Sequence, residues 1–316
     1  MLVAFWLATT SVAHSQTYPV KPIRLIVPFP AGGTTDVLAR IVGQQITEAW
    51  GHSVVVENKS GAGGTIGTEF VARAASDGYT LVIGNFGPIA IAPSLYKNIN
   101  YDPLKDLAPI TLIATTPNIL LVNPRLLVKT IVDLIALAKA KPGSINYASA
   151  GVGISNHLGM ELFKQMAHVN LTHVPYKGSS PALADLIAGQ VSVAFDPVTS
   201  SLPFVKSGRL RAIAIGSGQR SGILPTVPTV AESGLTGFES GTWNGILAPS
   251  GTSRDILDKL SRQLAVTLEK PAMRQQLRDL GSDSVGNSPD QFRQFIQSEQ
   301  AKWSKVIRDG GIKLDD

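Results

Sequence analysis

The sequence predicts an α/β protein of two lobes joined by two hinge crossovers. Three observations lead there. Apolar strand-like runs alternate with helix-periodic segments through the first third of the chain, and a second series of the same alternation begins in its middle. Two extended stretches, Asn118–Val122 and Trp243–Ala248, stand where the chain would pass between the two series.

The first unit is explicit. Ile23-Arg24-Leu25-Ile26-Val27 reads as a buried strand, halted by Pro28-Phe29-Pro30-Ala31-Gly32-Gly33. A helix follows, because Val37, Leu38, Ile41, Val42, Ile46 and Trp50 recur at helical spacing, with Thr34, Thr35 or Asp36 able to cap its start. Val54-Val55-Val56, a helix over about 65–75 and the strand 80–83 repeat the pattern. In the second series, helices over 131–140, 156–167 and 181–188 interleave with strands over 145–148, 171–174 and 191–195, and a further strand spans 211–215. Three helices, over 254–269, 273–280 and 291–308, close the chain and are expected to return to the first lobe. The alternation argues for a largely parallel sheet with helices on both faces. The expected division is 16–122 with 244–316 as the first lobe and 123–243 as the second.

Composition narrows the function. With 316 residues, 44% hydrophobic and 16% charged, the chain can fill two cores, which excludes wholesale disorder. Cysteine is absent, so disulfides and thiolate metal sites are excluded. Lys and Arg exceed Asp and Glu by 28 to 23, a net charge of +5, but the basic residues are scattered and aromatics are only 6%, which argues against a nucleic-acid surface. A small anionic solute fits that charge better. Residues 1–15 read as a signal peptide: the apolar run Leu2–Ala8 passes through small residues suited to cleavage after Ala13 or Ser15. The basic start of such a peptide is missing, as a truncated or misplaced start codon would leave it. The expected product is exported to the periplasm.

Two loops carry the candidate chemistry. At Phe29, Pro30, Ala31, Gly32, Gly33, Thr34 and Asp36 a strand ends and a helix begins across paired glycines. Helix starts leave backbone N–H groups without intrahelical partners and carry partial positive charge, so a carboxylate is stabilised there. A purely structural turn is the alternative. Ser149, Ala150, Gly151, Gly153, Ser155, Asn156 and His157 repeat the arrangement, with Ser155 suited as N-cap and Ser149 and Asn156 offering donors. His157 either donates to an anion or caps its own loop. Should both loops face one cleft, two helix starts would converge on a ligand. Asp196 and Asn85 end buried strands and either line that cleft or serve local turns. Gly61–Gly67 lacks the spacing of a nucleotide loop and reads as packing.

An enzyme is disfavoured. Ser155, His157 and Asp196 could be imagined as a hydrolase relay, but no G-x-S-x-G elbow is present, and Ser155 and His157 lie two apart on one element, so their side chains diverge. His52, His168 and His173 lack metal-ligand spacing, so no metal and no cofactor are expected.

Taken together the segments resemble the Bug family of periplasmic receptors, the binding components of tripartite tricarboxylate transporters. The resemblance runs from Tyr18 to about Ile312. It rests on Tyr18–Arg24, Val27–Asp36, Val56–Gly64, Asp77–Leu81, Pro175-Tyr176-Lys177-Gly178, Gly189-Gln190-Val191 and Pro225–Gly234, in that order. It implies a type II Venus-flytrap fold closing on a small carboxylated solute, with the first loop holding a carboxylate through backbone amides and bridging waters. The second loop would supply contacts through Gly153, Ser155 and His157, ahead of Leu158. It also implies a monomer that serves membrane permease subunits or, in signalling relatives, a sensor protein feeding a kinase. One departure stands out: Phe86-Gly87-Pro88-Ile89-Ala90 replaces the polar residues that members carry after the position of Asn85. That substitution leaves a more apolar wall, so the ligand is a di- or tricarboxylate, an aromatic or aliphatic monocarboxylate, an amino acid or a nicotinate-like acid.

Overall fold

The computed structural model describes residues 18–314; the expected signal peptide at 1–15 lies outside them. In chain order the elements are β1 (Ile23–Val27), α1 (Thr34–Trp50), β2 (Val54–Asn58), α2 (Thr65–Ala72), β3 (Thr80–Asn85), α3 (Ala92–Leu95), β4 (Leu107–Val122), α4 (Ile131–Ala140) and β5 (Asn146–Ser149). Then follow α5 (Ser155–Ala167), β6 (Thr172–Pro175), α6 (Ser179–Ala188), β7 (Val193–Pro197), α7 (Val198–Lys206) and β8 (Arg211–Ile215). Last come β9 (Gly241–Pro249), α8 (Arg254–Glu269), α9 (Pro271–Asp279), β10 (Asp283–Ser284) and α10 (Pro289–Asp309).

The strands form two half-sheets that share β4. One half runs β2-β1-β3-β9-β4, the other β4-β7-β5-β6, with β8 and β10 also paired to β4. The sheet is more mixed than the alternation predicts. The βαβ pairs β1–β2, β1–β3, β5–β6 and β5–β7 are parallel, but every pair made by β4 or β9 is antiparallel. The reason is connectivity: β4 and β9 pass between the halves rather than returning over a helix.

Side chains alternate across each half-sheet and fill a core on both faces. In the first half Ile23, Leu25 and Val27 pack under α1, α8 and α9, whereas Ile26 points to the other face with Val82, Leu247 and the α10 residues Phe292, Ile296 and Trp303. In the second half Leu120 and Val122 face α4 and α5, and Ile119 and Leu121 face α6 and α7. Phe86, expected on a wall of the cleft, is instead 2% exposed in the first-half core, its ring 5.2 Å from that of Trp303. The apolar replacement at 86 is therefore absorbed by packing, through a π-helical turn over Gly87–Ile91 that carries the following residues inward.

Beside β4 the halves meet in a ring of three backbone hydrogen bonds. Asn118 N–H donates to Ser240 O (3.2 Å), Ser240 N–H to Gly216 O (2.7 Å), and Gly216 N–H to Asn118 O (2.7 Å). β4 pairs with β9 up to Pro117 and with β7 from Asn118 onward, so the change of partner falls on this ring. The approach is too close for a side chain: a Cβ on Gly216 would sit 2.4 Å from Ser240 O. Gly216→Ala is expected to force the ring apart and lower stability by about 1–3 kcal/mol, as overpacking does. Urea unfolding checks it, and an unchanged midpoint would show that the ring yields without cost.

Candidate functional site

The β1–α1 loop is held from behind by Asp36. Its carboxylate accepts from Gly32 N–H (2.9 Å), from Arg40 through Nε and Nη2 (3.0 Å each), and from Asn58 Nδ2 (2.9 Å), whose other bond goes to Phe29 O (3.0 Å). The Arg40 guanidinium holds the Asp36 carboxyl down at about 2, against the smaller opposing effect of burial. Asp36 is thus engaged within the protein, reaching back to the Gly32 amide and forward to the Arg40 side chain instead of capping the helix amides. Capping differs from expectation: the N-cap is Gly33, and none of Thr34, Thr35 and Asp36 caps the helix. Thr35 turns inward and donates to Asn244 Oδ1 (2.9 Å), while Asn85 Nδ2 reaches Thr35 Oγ1 (3.4 Å) and Asn85 Oδ1 accepts from Gly87 N–H (3.1 Å). Thr35 and Asn244 are buried, so this trio forms the floor beneath the α1 start. Gly33 itself is exposed, with only Pro30 O within 4 Å of a Cβ placed on it.

The β5–α5 loop is shaped by a buried polar cluster. Gly153 N–H donates to His157 Nδ1 (3.0 Å), which fixes a neutral imidazole capping its own loop. His157 stacks on His173 with centroids 4.0 Å apart, and His173 Nε2 lies 2.6 Å from Ser149 Oγ. Behind them Glu161 accepts from Tyr147 (2.5 Å) and Lys164 (2.7 Å), with His157 Nε2 at 4.0 Å. Burial pushes His157 down to about 3 and His173 to about 4. Ser155 does not cap: the helix begins one residue earlier than expected, with Ile154 at the N-cap and no side chain bonded to the start. Asn156 is buried, its Oδ1 accepting from Ala150 N–H (3.3 Å) and its Nδ2 directed at Asp196 Oδ1 (3.5 Å).

Asp196, 1% exposed, gathers the first turns of three helices of the second half, α5, α6 and α7. Ser179 donates to it at 2.7 Å, Ser200 donates to its other oxygen, and Asn156 completes the set. Desolvation pushes its carboxyl up to about 6 despite these donors. The imagined relay is absent: Ser155, His157 and Asp196 share no hydrogen bond among the described residues, and each polar partner named above belongs to loop shaping.

Each loop approaches an element of the opposite half. Gly153, at φ +76°, a backbone conformation that favours glycine, lies close to Leu95 of α3, whose Cδ2 would be 2.1 Å from a Cβ placed there. Gly32 and Thr34 border a cavity of about 320 Å³ whose opposite wall is α7. Residues 149–157 do not line that cavity. Asn118 links the loop to the crossing: its Nδ2 donates to Ser155 O and Ser240 Oγ (3.2 Å each), while its Oδ1 is buried without a partner among the described residues.

Sequence reasoning assigns no site role to Asn58, Ser179, Ser200 and Ser240, places Asn118 and Asn244 only in crossover strands, and reads Thr35 as a cap and His173 only as an unlikely metal ligand. A signal existed for two of them, since Asn118 and Asn244 interrupt apolar strand runs where a buried amide needs partners. Among the described residues no group of His, Asp or Glu is arranged to hold a metal ion.

A family model described as the tripartite tricarboxylate transporter family receptor matches residues 38–312. The chain belongs to that receptor family. BugT of Bordetella pertussis is 39% identical over 317 aligned residues, covering 99% of this chain and 97% of BugT. Rpa4515 of R. palustris, solved with adipate, superposes with a TM-score of 0.81 at 38% identity, covering 94% of this chain and 99% of its own. MatC (Rpa3494) from Rhodopseudomonas palustris, solved with bound malate, gives a TM-score of 0.76 at 33% identity, covering 92% of this chain and all of MatC. The two-lobed receptor fold is common to these proteins and this chain.

The buried groups of the receptor make its stability pH-dependent. Two histidines with folded values below the ordinary 6.5 contribute stability present above 6.5 and lost as pH falls through about 4 and 3. Asp196, raised above 3.8, does the reverse: its contribution is complete below 3.8 and lost as pH rises through about 6. Two protons outweigh one, so urea stability is expected to fall by roughly 2 kcal/mol between neutral and about pH 4.5. Asp196→Asn removes the opposing titration and steepens the fall; a flat profile in both proteins would contradict the buried neutral histidines.

Proposed function

We propose that this chain is an exported, non-catalytic, monomeric receptor that captures a small carboxylated solute between its lobes and presents it to a membrane transporter. The observation that carries this reading is the uncapped start of α1. No side chain satisfies its first amides, the loop before it is locked by Asp36, and Gly33 and Thr34 stay exposed toward the second half of the molecule. Such a start supplies aligned N–H groups and the positive end of a helix dipole to a carboxylate. α5 presents a second start without a side-chain cap; α2, α6, α7, α8 and α9 also lack one, so it is the placement of α1 and α5 against the opposite half, together with their free amides, that supports the reading.

The relatives solved with adipate and malate are consistent with a carboxylated ligand here. In this reading the lobes are 18–117 with 241–314 and 118–240, divided where β4 and β9 meet the three-residue ring. Phe29 to Gly33 and Thr34 contact the solute directly, and Ser149 to His157 contact it from the second lobe. Asp36, His157 and Asp196 act by holding those loops. Ligand binding favours the arrangement in which both loops touch it, and that arrangement is what a transporter recognises. No helix among the described residues is long and apolar enough to cross a membrane, which accords with delivery to a separate permease. A periplasmic location follows from the expected signal peptide.

Gly33→Asp tests the site. A carboxylate at the N-cap bonds the helix amides itself and stabilises α1, and the position has room for it. The variant is expected to keep or raise its melting temperature and to lose affinity for any carboxylate that copurifies and is identified by mass spectrometry. The loss should be about 100-fold or more by calorimetry, as two charge-assisted bonds imply. Unchanged affinity would move the site away from α1.

A further inference from the structure

The cavity beside the α1 start is walled differently on its two sides, and the difference bears on which acids fit. One side is the first turn of α1, with Thr34 and Val37; the other is α7, with Thr199, Leu202 and Pro203; Leu280 closes the end. At about 320 Å³ it lies in the usual range for small-ligand pockets, ~300–1,000 Å³. Apart from Thr34, Thr199 and Asp279, its side chains are apolar. No lysine or arginine lines it, and its single charged residue is Asp279.

The α7 wall is rigid for identifiable reasons. Its first turn follows directly on Asp196, whose carboxylate is bonded by Ser200 of that turn, and Ser201 Oγ donates to Pro197 O (2.8 Å). Leu202 packs on the apolar cluster under the second half-sheet, and Pro203 fixes its own φ within the helix. A wall so held offers the cavity no polar side chain beyond the Thr199 hydroxyl.

We infer that the slot between α1 and α7 is the specificity pocket of the receptor and selects monocarboxylic acids with an aliphatic or aromatic body. The inference rests on the carboxylate-capture reading and goes further, by naming the substrate class. The carboxylate meets the amides at Gly33 and Thr34, where the second loop reaches it on closure, and the body lies along Val37, Leu202 and Pro203 in the slot, which residues 149–157 do not line. A second carboxylate in the slot would be desolvated against an apolar wall with no cation to pair it and with Asp279 as a like charge. Tricarboxylates are refused on the same ground.

Calorimetry of the purified, ligand-stripped protein with hexanoate, benzoate, adipate, malate and citrate tests this. Hexanoate or benzoate is expected to bind at least about tenfold tighter than any of the three polycarboxylates, which is about 1.4 kcal/mol. Leu202→Arg supplies the missing cation and is expected to weaken the monocarboxylate and strengthen adipate. Because Leu202 also packs on its own half's core, Val37→Lys makes the same change from the opposite wall, at a residue belonging to neither first-half cluster. Adipate, malate or citrate binding tightest to the wild-type protein would overturn the inference while leaving carboxylate capture intact, as would an unaltered ranking in both variants. Failure of every acid in the panel to bind would overturn the carboxylate reading and the slot assignment together.

Discussion

The ring of backbone hydrogen bonds among Asn118, Ser240 and Gly216 determines how the two half-sheets can be related. Each of the three residues donates once and accepts once, so the ring has no spare group with which to accommodate sliding. Since a Cβ does not fit at Gly216, the backbones are already at contact. Relative motion of the halves must then be taken up by twist along β4 and β9, which hold their ladders on either side of the ring. α5 is fastened to the same point, through Asn118 to Ser155 O and through Gly159, where a Cβ would lie 2.0 Å from Ser240 Oγ. The second loop of the site therefore moves with the crossing and not independently of it.

That constraint explains why the charged side chains near the site face inward. A loop that must present bare amides needs its shape imposed by other groups, because an amide that bonds within its own loop has nothing left for a ligand. Asp36 with Arg40 and Asn58 supplies that shape on one side, and His157, His173 and Asp196 supply it on the other. The perturbed carboxyls and imidazoles are thus marks of loop rigidity. Strongly shifted groups in a cleft often signal catalysis, but here each one has its polar partners within the protein.

Much of this was legible in the chain. The strand-to-helix turns at Gly33 and after Ser149 are visible because buried strands are largely apolar and glycines mark where they turn. Both loops, and nearly every helix, could be placed from spacing alone. What spacing could not convey was the direction of side chains at a helix start. Thr34, Thr35 and Asp36 are all competent caps, and only packing decides that Thr35 goes to Asn244 and Asp36 back to Gly32. The same holds for Ser155, which is displaced from the N-cap because Gly153 is anchored by His157 and leaves Ile154 in that place. The pairing of β4 with β9 was hidden for another reason: a strand of 16 residues that changes partner midway has no local signature at the change.

α7 illustrates the limit most sharply. Val198-Thr199-Ser200-Ser201-Leu202-Pro203 is poor in helix formers and carries a proline in its interior, so propensity argues for a loop. It is helical because its first turn is tied to Asp196 and Pro197 O and because Val198 and Leu202 are seated on Ile119 and Leu121 of β4 and their neighbours. Tertiary contacts hold a segment that local preference would release, and the result is a stiff apolar surface facing the α1 amides. By contrast, the residue that looked most like a change of wall, Phe86, packs against Trp303 and leaves the gap untouched. In the proposed slot the chemistry of the ligand is set less by the motifs that identify the receptor than by a short helix tied to an aspartate buried beneath it.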